Sequence, residues 1–136
     1  MIWHFTTRQP PSDWFKPGFE ASNWTDAPAG FGTRDTPGAV VRTTWNTPDI
    51  WLLREFSLPD RKLKAPALRI HHDEDVEVYI NGIPAAKAKG YTTEYKQIDL
   101  QPKAGEFLRP GINRIAVHCH QTIGAQYIDV GITESP

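Results

Sequence analysis

One cysteine, almost no net charge and no long apolar run set the first limits on this chain of 136 residues. Cys119 has no second cysteine to pair with, so no disulfide staples the chain internally, and the redox compartment stays open. Fifteen Lys and Arg face sixteen Asp and Glu, leaving a net charge of −1 with no block of either sign. Nucleic-acid and membrane-surface binding both rest on clustered cations, so neither partner is expected. No stretch approaches the roughly 20 apolar residues of a membrane-crossing helix. The opening Met1-Ile2-Trp3-His4-Phe5 also lacks the charged start and apolar run of a secretory signal. Helical segments are scarce too. Twelve Pro and ten Gly are spread along the chain, and proline removes a helix hydrogen bond and clashes with the preceding turn.

What the chain does contain is short β-rich runs separated by turn signals, the pattern of an all-β sandwich or barrel. The clearest strands are Ile50 to Leu58, Ala67 to His72, Val76 to Ile80, Asn113 to His120 and Tyr127 to Thr133. Leu68, Ile70 and His72 alternate with more polar neighbours, as do Val76, Val78 and Ile80, so each run buries one face. Asn81-Gly82 between two such runs marks a tight hairpin, because both residues tolerate the positive φ that a type I′ turn requires. Weaker strands are expected at Ile2 to Thr6, Val40 to Thr44, Pro84 to Ala88 and Lys96 to Leu100. The length suits one domain over residues 1–136, with a loop-rich segment 7–40 packed on it through Trp14, Phe15, Phe19 and Trp24.

Chain direction then predicts where function sits. If every connection from Ile50 onward reverses the chain, as in antiparallel meanders and jelly rolls, alternate loops share one end. That end gathers Trp45, the turn His71-His72-Asp73-Glu74-Asp75, Tyr91, Tyr95, and the stretch from His118, His120 and Gln121 to Gln126, Tyr127 and Asp129. The opposite end receives ordinary turn residues such as Pro59-Asp60-Arg61-Lys62 and Pro102-Lys103. Loops at one end of a rigid sandwich are the usual place for a binding site.

Three chemistries compete for that rim. Sugar binding needs flat aromatic faces and a few fixed donors and acceptors. Trp45, Tyr91, Tyr95 and Tyr127 supply candidate faces, and His71, His72, Asp73, Asp75, His118, His120, Gln121, Gln126 and Asp129 supply candidate polar contacts. Plugging the end of the core is the competing role for the aromatics. A metal site is the second chemistry. His118 and His120 share a strand face and suit zinc or iron, while Asp73, Glu74 and Asp75 suit calcium. A solvated turn is the plain alternative for that acidic run. Hydrolysis is the third, with Asp73, Glu74, Asp75 and Asp129 as candidate acids, but no Gly-x-Ser-x-Gly or His-Glu-x-x-His motif is present. Cys119 alternates with the two histidines and is expected to face the apolar side.

Several of these runs together resemble the galactose-binding-domain-like modules that accompany bacterial glycoside hydrolases and related secreted enzymes. They are Gly30-Phe31-Gly32-Thr33, Thr44 to Phe56, His71 to Gly82, Gly111 to Gln121 and Gln126 to Gly131. The chain is similar in turn to the N-terminal sugar-binding domain of family 2 glycosidases. One departure is Leu53-Arg54, where the pattern more often has two basic residues. The resemblance implies an antiparallel β-sandwich of jelly-roll type with no catalytic residues and no required cofactor. A structural calcium, often present in this broad fold, and a secreted or periplasmic parent enzyme are further implications. The expected function is a noncatalytic carbohydrate-binding module beside a catalytic domain, with carbohydrate as ligand. A spacer domain without sugar affinity and a small metal-dependent hydrolase are the alternatives.

Overall fold

Ile50, Leu52 and Phe56 of one long strand face the core together with Ile115, Val117 and Cys119 of another, and this period-2 alternation builds the sandwich. A computed structural model describes residues 1–135. The strands are β1 (Ile2–Thr6), β2 (Thr25–Pro28), β3 (Phe31–Gly32), β4 (Thr43–Thr44), β5 (Asp49–Leu58) and β6 (Ala67–Asp73). They continue as β7 (Asp75–Ile80), β8 (Ile83–Ala88), β9 (Lys96–Asp99), the helix α1 (Pro102–Phe107), β10 (Gly111–His120) and β11 (Tyr127–Thr133). One sheet has the order β2-β1-β5-β10-β7-β8 and the other β4-β3-β11-β6-β9. From β5 onward the chain crosses repeatedly between the sheets, the jelly-roll habit.

The strands read from the sequence are present, with Val40 to Thr44 reduced to the two residues of β4. Every pairing among β5 to β11 is antiparallel, so each stroke of the chain does reverse. The rim assembles where His120 pairs with both Asp49 and Asp75, and Asp73 pairs with Tyr127 and bridges to Tyr91. Three elements had no forecast. β2 and β3 lie inside the segment read as loop; they are short, and Pro28 and Gly32 weaken any strand signal. Helix α1 occupies an expected turn, opens on a proline at its first position, where a missing N–H costs nothing, and buries only Ala104.

The outer face of the first sheet is not open to solvent. Trp51, Leu53 and Ala116 point away from the main core and pack under Trp14, with Phe15, Phe19 and Trp24 around them. This explains why β5 reads as the unbroken apolar run Ile50-Trp51-Leu52-Leu53, since both of its faces are covered. Arg114 locks the covering segment by donating to the carbonyls of Lys16, Pro17 and Phe19 at 3.2, 3.2 and 2.6 Å.

The Asn81-Gly82 hairpin is as expected, with φ of 49° and 81°. A Cβ on Gly82 would lie 2.8 Å from Pro17 Cδ, so the turn also supports the N-terminal segment. Gly82→Val should therefore lower stability by about 2 kcal/mol in urea unfolding, while Gly82→Asn should lose much less. Equal losses from the two changes would rule out backbone strain as the cause.

Candidate functional site

The rim is where the sequence puts it, but two of its four candidate aromatic side chains, Trp45 and Tyr127, are buried. Trp45 is 2% exposed, and its indole Nε1–H donates to Thr47 Oγ1 at 3.1 Å and to the Asp49 carbonyl at 3.3 Å. Tyr127 is fully buried and donates to the Val40 carbonyl at 2.9 Å. Neither has a free face on which a sugar ring can stack, so both correct the expectation of an aromatic platform. Trp45 joins the main core, while Tyr127 packs on the other face of the second sheet, against His71 and under the loop that carries Val40. Gln126 and Gln121 are buried beside them and spend their amides on the carbonyls of Thr47 and Gly124, at 2.9 and 2.7 Å.

His71 packs with Tyr127, while His72 alternates to the other face of β6. His71 is fully buried against Tyr95 and Tyr127, with Nε2 donating to the Thr92 carbonyl at 3.1 Å. Burial pushes its pKa down, so the neutral ring is favoured and Nδ1 is left as an acceptor without a partner among the described residues. His72 Nδ1 lies 2.6 Å from the Glu74 carbonyl and 3.1 Å from that of Gly90. On the outer face of the second sheet, the Tyr95 hydroxyl donates to Asp129, and the Arg69 guanidinium sits 4.3 Å above the Tyr95 ring.

The other two candidate histidines converge on a residue absent from the candidates. Asp49 Oδ1 lies 2.8 Å from both His118 Nε2 and His120 Nδ1. His118 stacks on Trp51 at 4.7 Å with the rings 2° from parallel, and Glu77 approaches its Nδ1 at 3.6 Å. Glu77 also accepts from Tyr79 at 2.8 Å; burial first, then this carboxylate, pushes the phenol up to about 12. Asp49 was findable, because β5 starts where β10 ends. His71 and His72, placed at the same end, do not join this pair; their ring nitrogens lie against the carbonyls of Thr92, Glu74 and Gly90.

The acidic turn separates in the same way. Asp75 accepts from the Gly90 N–H at 2.8 Å, and Glu74 accepts from the N–H groups of Thr122 and Ile123 at 2.6 and 3.1 Å. No group of three His, Cys, Asp or Glu side chains among the described residues is arranged to hold a metal ion. Cys119 points into the core, where burial pushes its thiol pKa well up. Among the rim aromatics, Tyr91 is the one with a largely open ring, at 66% exposure.

Asp73 is the candidate acid whose burial the sequence did not mark. It is 7% exposed, and burial, reinforced by Glu74, raises its carboxyl from 3.8 to about 6. The folded state thus holds this proton more tightly than the unfolded chain. No penalty exists below pH 4; it grows as the pH rises through 6, when a buried charge must form. Asp73→Asn should accordingly raise stability by about 1–2 kcal/mol at pH 7 and leave it unchanged at pH 4. Urea midpoints at the two pH values test this, and an equal change at both would exclude the titration.

Concave surface lies at the other pole. A groove of about 670 Å³ is lined by Leu58, Leu63, Pro66, Pro102, Leu108 and Pro110, with Arg61, Lys62 and Arg109 at its edge. A second cavity of about 290 Å³ opens beside it between the sheets. The turns read as ordinary therefore frame this groove.

The sequence matches no protein-family model and no curated protein. Solved structures do match. A family 2 glycosyl hydrolase from Bacteroides cellulosilyticus aligns with a TM-score of 0.67 and 16% identity, over 98% of this chain and 20% of that one. A β-glucuronidase from Ruminococcus gnavus, solved with D-glucuronic acid, aligns at 0.64 and 19%, over 91% of this chain and 21% of the other. A β-glycosidase from Bacteroides vulgatus gives 0.58 and 19%, over 95% and 19%. The chain thus has the fold of one module of family 2 glycoside hydrolases and spans about a fifth of their length.

Proposed function

We propose that this chain is a noncatalytic accessory domain of a larger glycoside hydrolase, with a structural role rather than a sugar-binding rim. The observation that carries the choice between these roles is the burial of Trp45 and Tyr127, which leaves neither ring a free face. The fold likeness to one module of family 2 enzymes supports the accessory part of the reading. The acids of the rim support the noncatalytic part, since Asp75, Glu74 and Asp129 are each engaged by a separate partner instead of facing a second acid across a cleft. Met1, Ile2, Phe107 and Ile112 are exposed apolar side chains toward the opposite pole, a surface suited to packing against a neighbouring domain.

Carbohydrate binding is the second reading, favoured by the open ring of Tyr91 beside Asp73. Calorimetry of the chain against plant, algal and host polysaccharides, with and without chelator, separates the two. The structural reading expects no saturable heat. Saturable binding that is lost in Tyr91→Ala would overturn it in favour of a sugar site at that turn.

A further inference from the structure

The smaller cavity, at the pole away from the rim, is the open mouth of the space between the two sheets. Phe56, Ile115, Val130 and Ile132 give it apolar walls. Ser57, Arg61, Thr133 and Glu134 share the lining, and two further groups interrupt the walls. Trp3 is 2% exposed, lines the cavity, and its indole Nε1–H has no acceptor among the described residues. Arg54 alternates with the core residues Leu52 and Phe56, pairs across the sheet with the buried Ile115, and so faces inward from β5. It lines the same cavity and takes part in none of the ion pairs among the described residues.

One carboxylate also lines the cavity, but its charge is already used. Glu134 accepts from both terminal nitrogens of Arg61, one of them at 3.0 Å, and from the Lys64 N–H at 2.9 Å. The Trp3 indole and the Arg54 guanidinium, by contrast, can only donate hydrogen bonds and have no acceptor side chain paired with them among the described residues. An inward guanidinium without a counter-charge is costly, since it surrenders part of its hydration for nothing in return. Water hydrates the guanidinium at the mouth but leaves the apolar walls wetted and the indole N–H without an acceptor. A planar carboxylate matches the guanidinium fork with one edge and still has lone pairs for an indole N–H. An apolar stem behind it fills the rest of the space. The larger groove shares Leu58, Arg61 and Leu63 with this cavity, so a stem has an apolar path onward.

We propose that this cavity binds a carboxylate carried on an apolar stem, held by Arg54 and Trp3. The same chemistry is offered by a free aliphatic acid or by a Glu side chain between apolar residues of a docked polypeptide. The site is separate from the rim, so its failure would leave the accessory-domain reading standing.

The test follows the Trp3 indole N–H resonance of the full chain by NMR during titration with sodium hexanoate. Parallel titrations use the peptide acetyl-Leu-Glu-Leu-amide, hexanol and matched sodium chloride. A saturable downfield shift with hexanoate or with the peptide is expected, and none with hexanol or chloride. Tighter binding of hexanoate assigns the free acid; tighter binding of the peptide assigns a docked segment. Arg54→Leu should weaken either by about tenfold or more, the usual effect of losing a charged hydrogen bond. It should keep its melting temperature, because it removes an unpaired cation from an apolar wall. No saturable shift with either acid, equal binding of hexanol, or unchanged affinity in a folded Arg54→Leu would overturn the proposal.

Discussion

Trp45→Ala should lower the unfolding free energy by about 3–5 kcal/mol, the usual cost of deleting a buried large aromatic side chain. The ring is 2% exposed within the main core cluster, so its removal leaves a hole between β5 and the loop before it. Two further losses add to the cavity. The Asp49 carbonyl and the Thr47 hydroxyl lose their shared indole donor, and Thr47 is the residue whose carbonyl holds Gln126. Trp45→Phe keeps most of the volume and loses only the donor, so it should cost clearly less. Tyr91→Ala, at an open position, should stay within about 0.5 kcal/mol of the parent. Urea unfolding of the three variants orders them. A Trp45→Ala protein as stable as Tyr91→Ala would mean that the rim ring is a surface feature after all, and the structural reading would lose its main support.

The strands and their directions were legible because they depend on local alternation and on a count of reversals. Leu68, Ile70 and His72, or Ile115, Val117 and Cys119, declare their face by spacing alone. The filling of the rim depends on how close two backbones approach, which residue types report only through glycine. A Cβ on Gly30 would meet Tyr127 Oη at 2.0 Å, and one on Gly32 would meet the Gln126 carbonyl at 2.3 Å. The pair Gly30 and Gly32 around Phe31 is therefore what lets β3 close over Tyr127, and it was the signal that the ring is covered. The grooved pole was hidden for another reason. Its wall includes α1, whose Pro102-Lys103-Ala104-Gly105 opening reads as a turn, so a charged connection gave no hint of a hollow beneath it.

The loop over the second sheet gives the other large effect, through Gly38→Ala. Gly38 has φ of 74°, and an added Cβ would lie 2.2 Å from the Thr93 carbonyl oxygen and 3.6 Å from His71 Cε1. The loop cannot back away cheaply, because it is pinned on both sides. Thr36 Oγ1 donates to the Gln126 carbonyl at 2.9 Å, and the Val40 carbonyl accepts from Tyr127 at 2.9 Å. The left-handed conformation alone costs an alanine about 1–2 kcal/mol. Moving a backbone carbonyl aside raises the expected loss to about 2–4 kcal/mol, within the range of single changes that strain a packed site. Gly124→Ala supplies the comparison, since Gly124 has nearly the same φ of 85° but nothing within 4 Å of its added Cβ. The difference between the two variants isolates the contact with Thr93. Solvent-perturbation spectroscopy of the tyrosines reads the second consequence: Gly38→Ala should open Tyr127, while Gly124→Ala should leave it covered. Equal destabilisation by the two alanines, with Tyr127 still shielded in both, would show that the loop is not what seals this face.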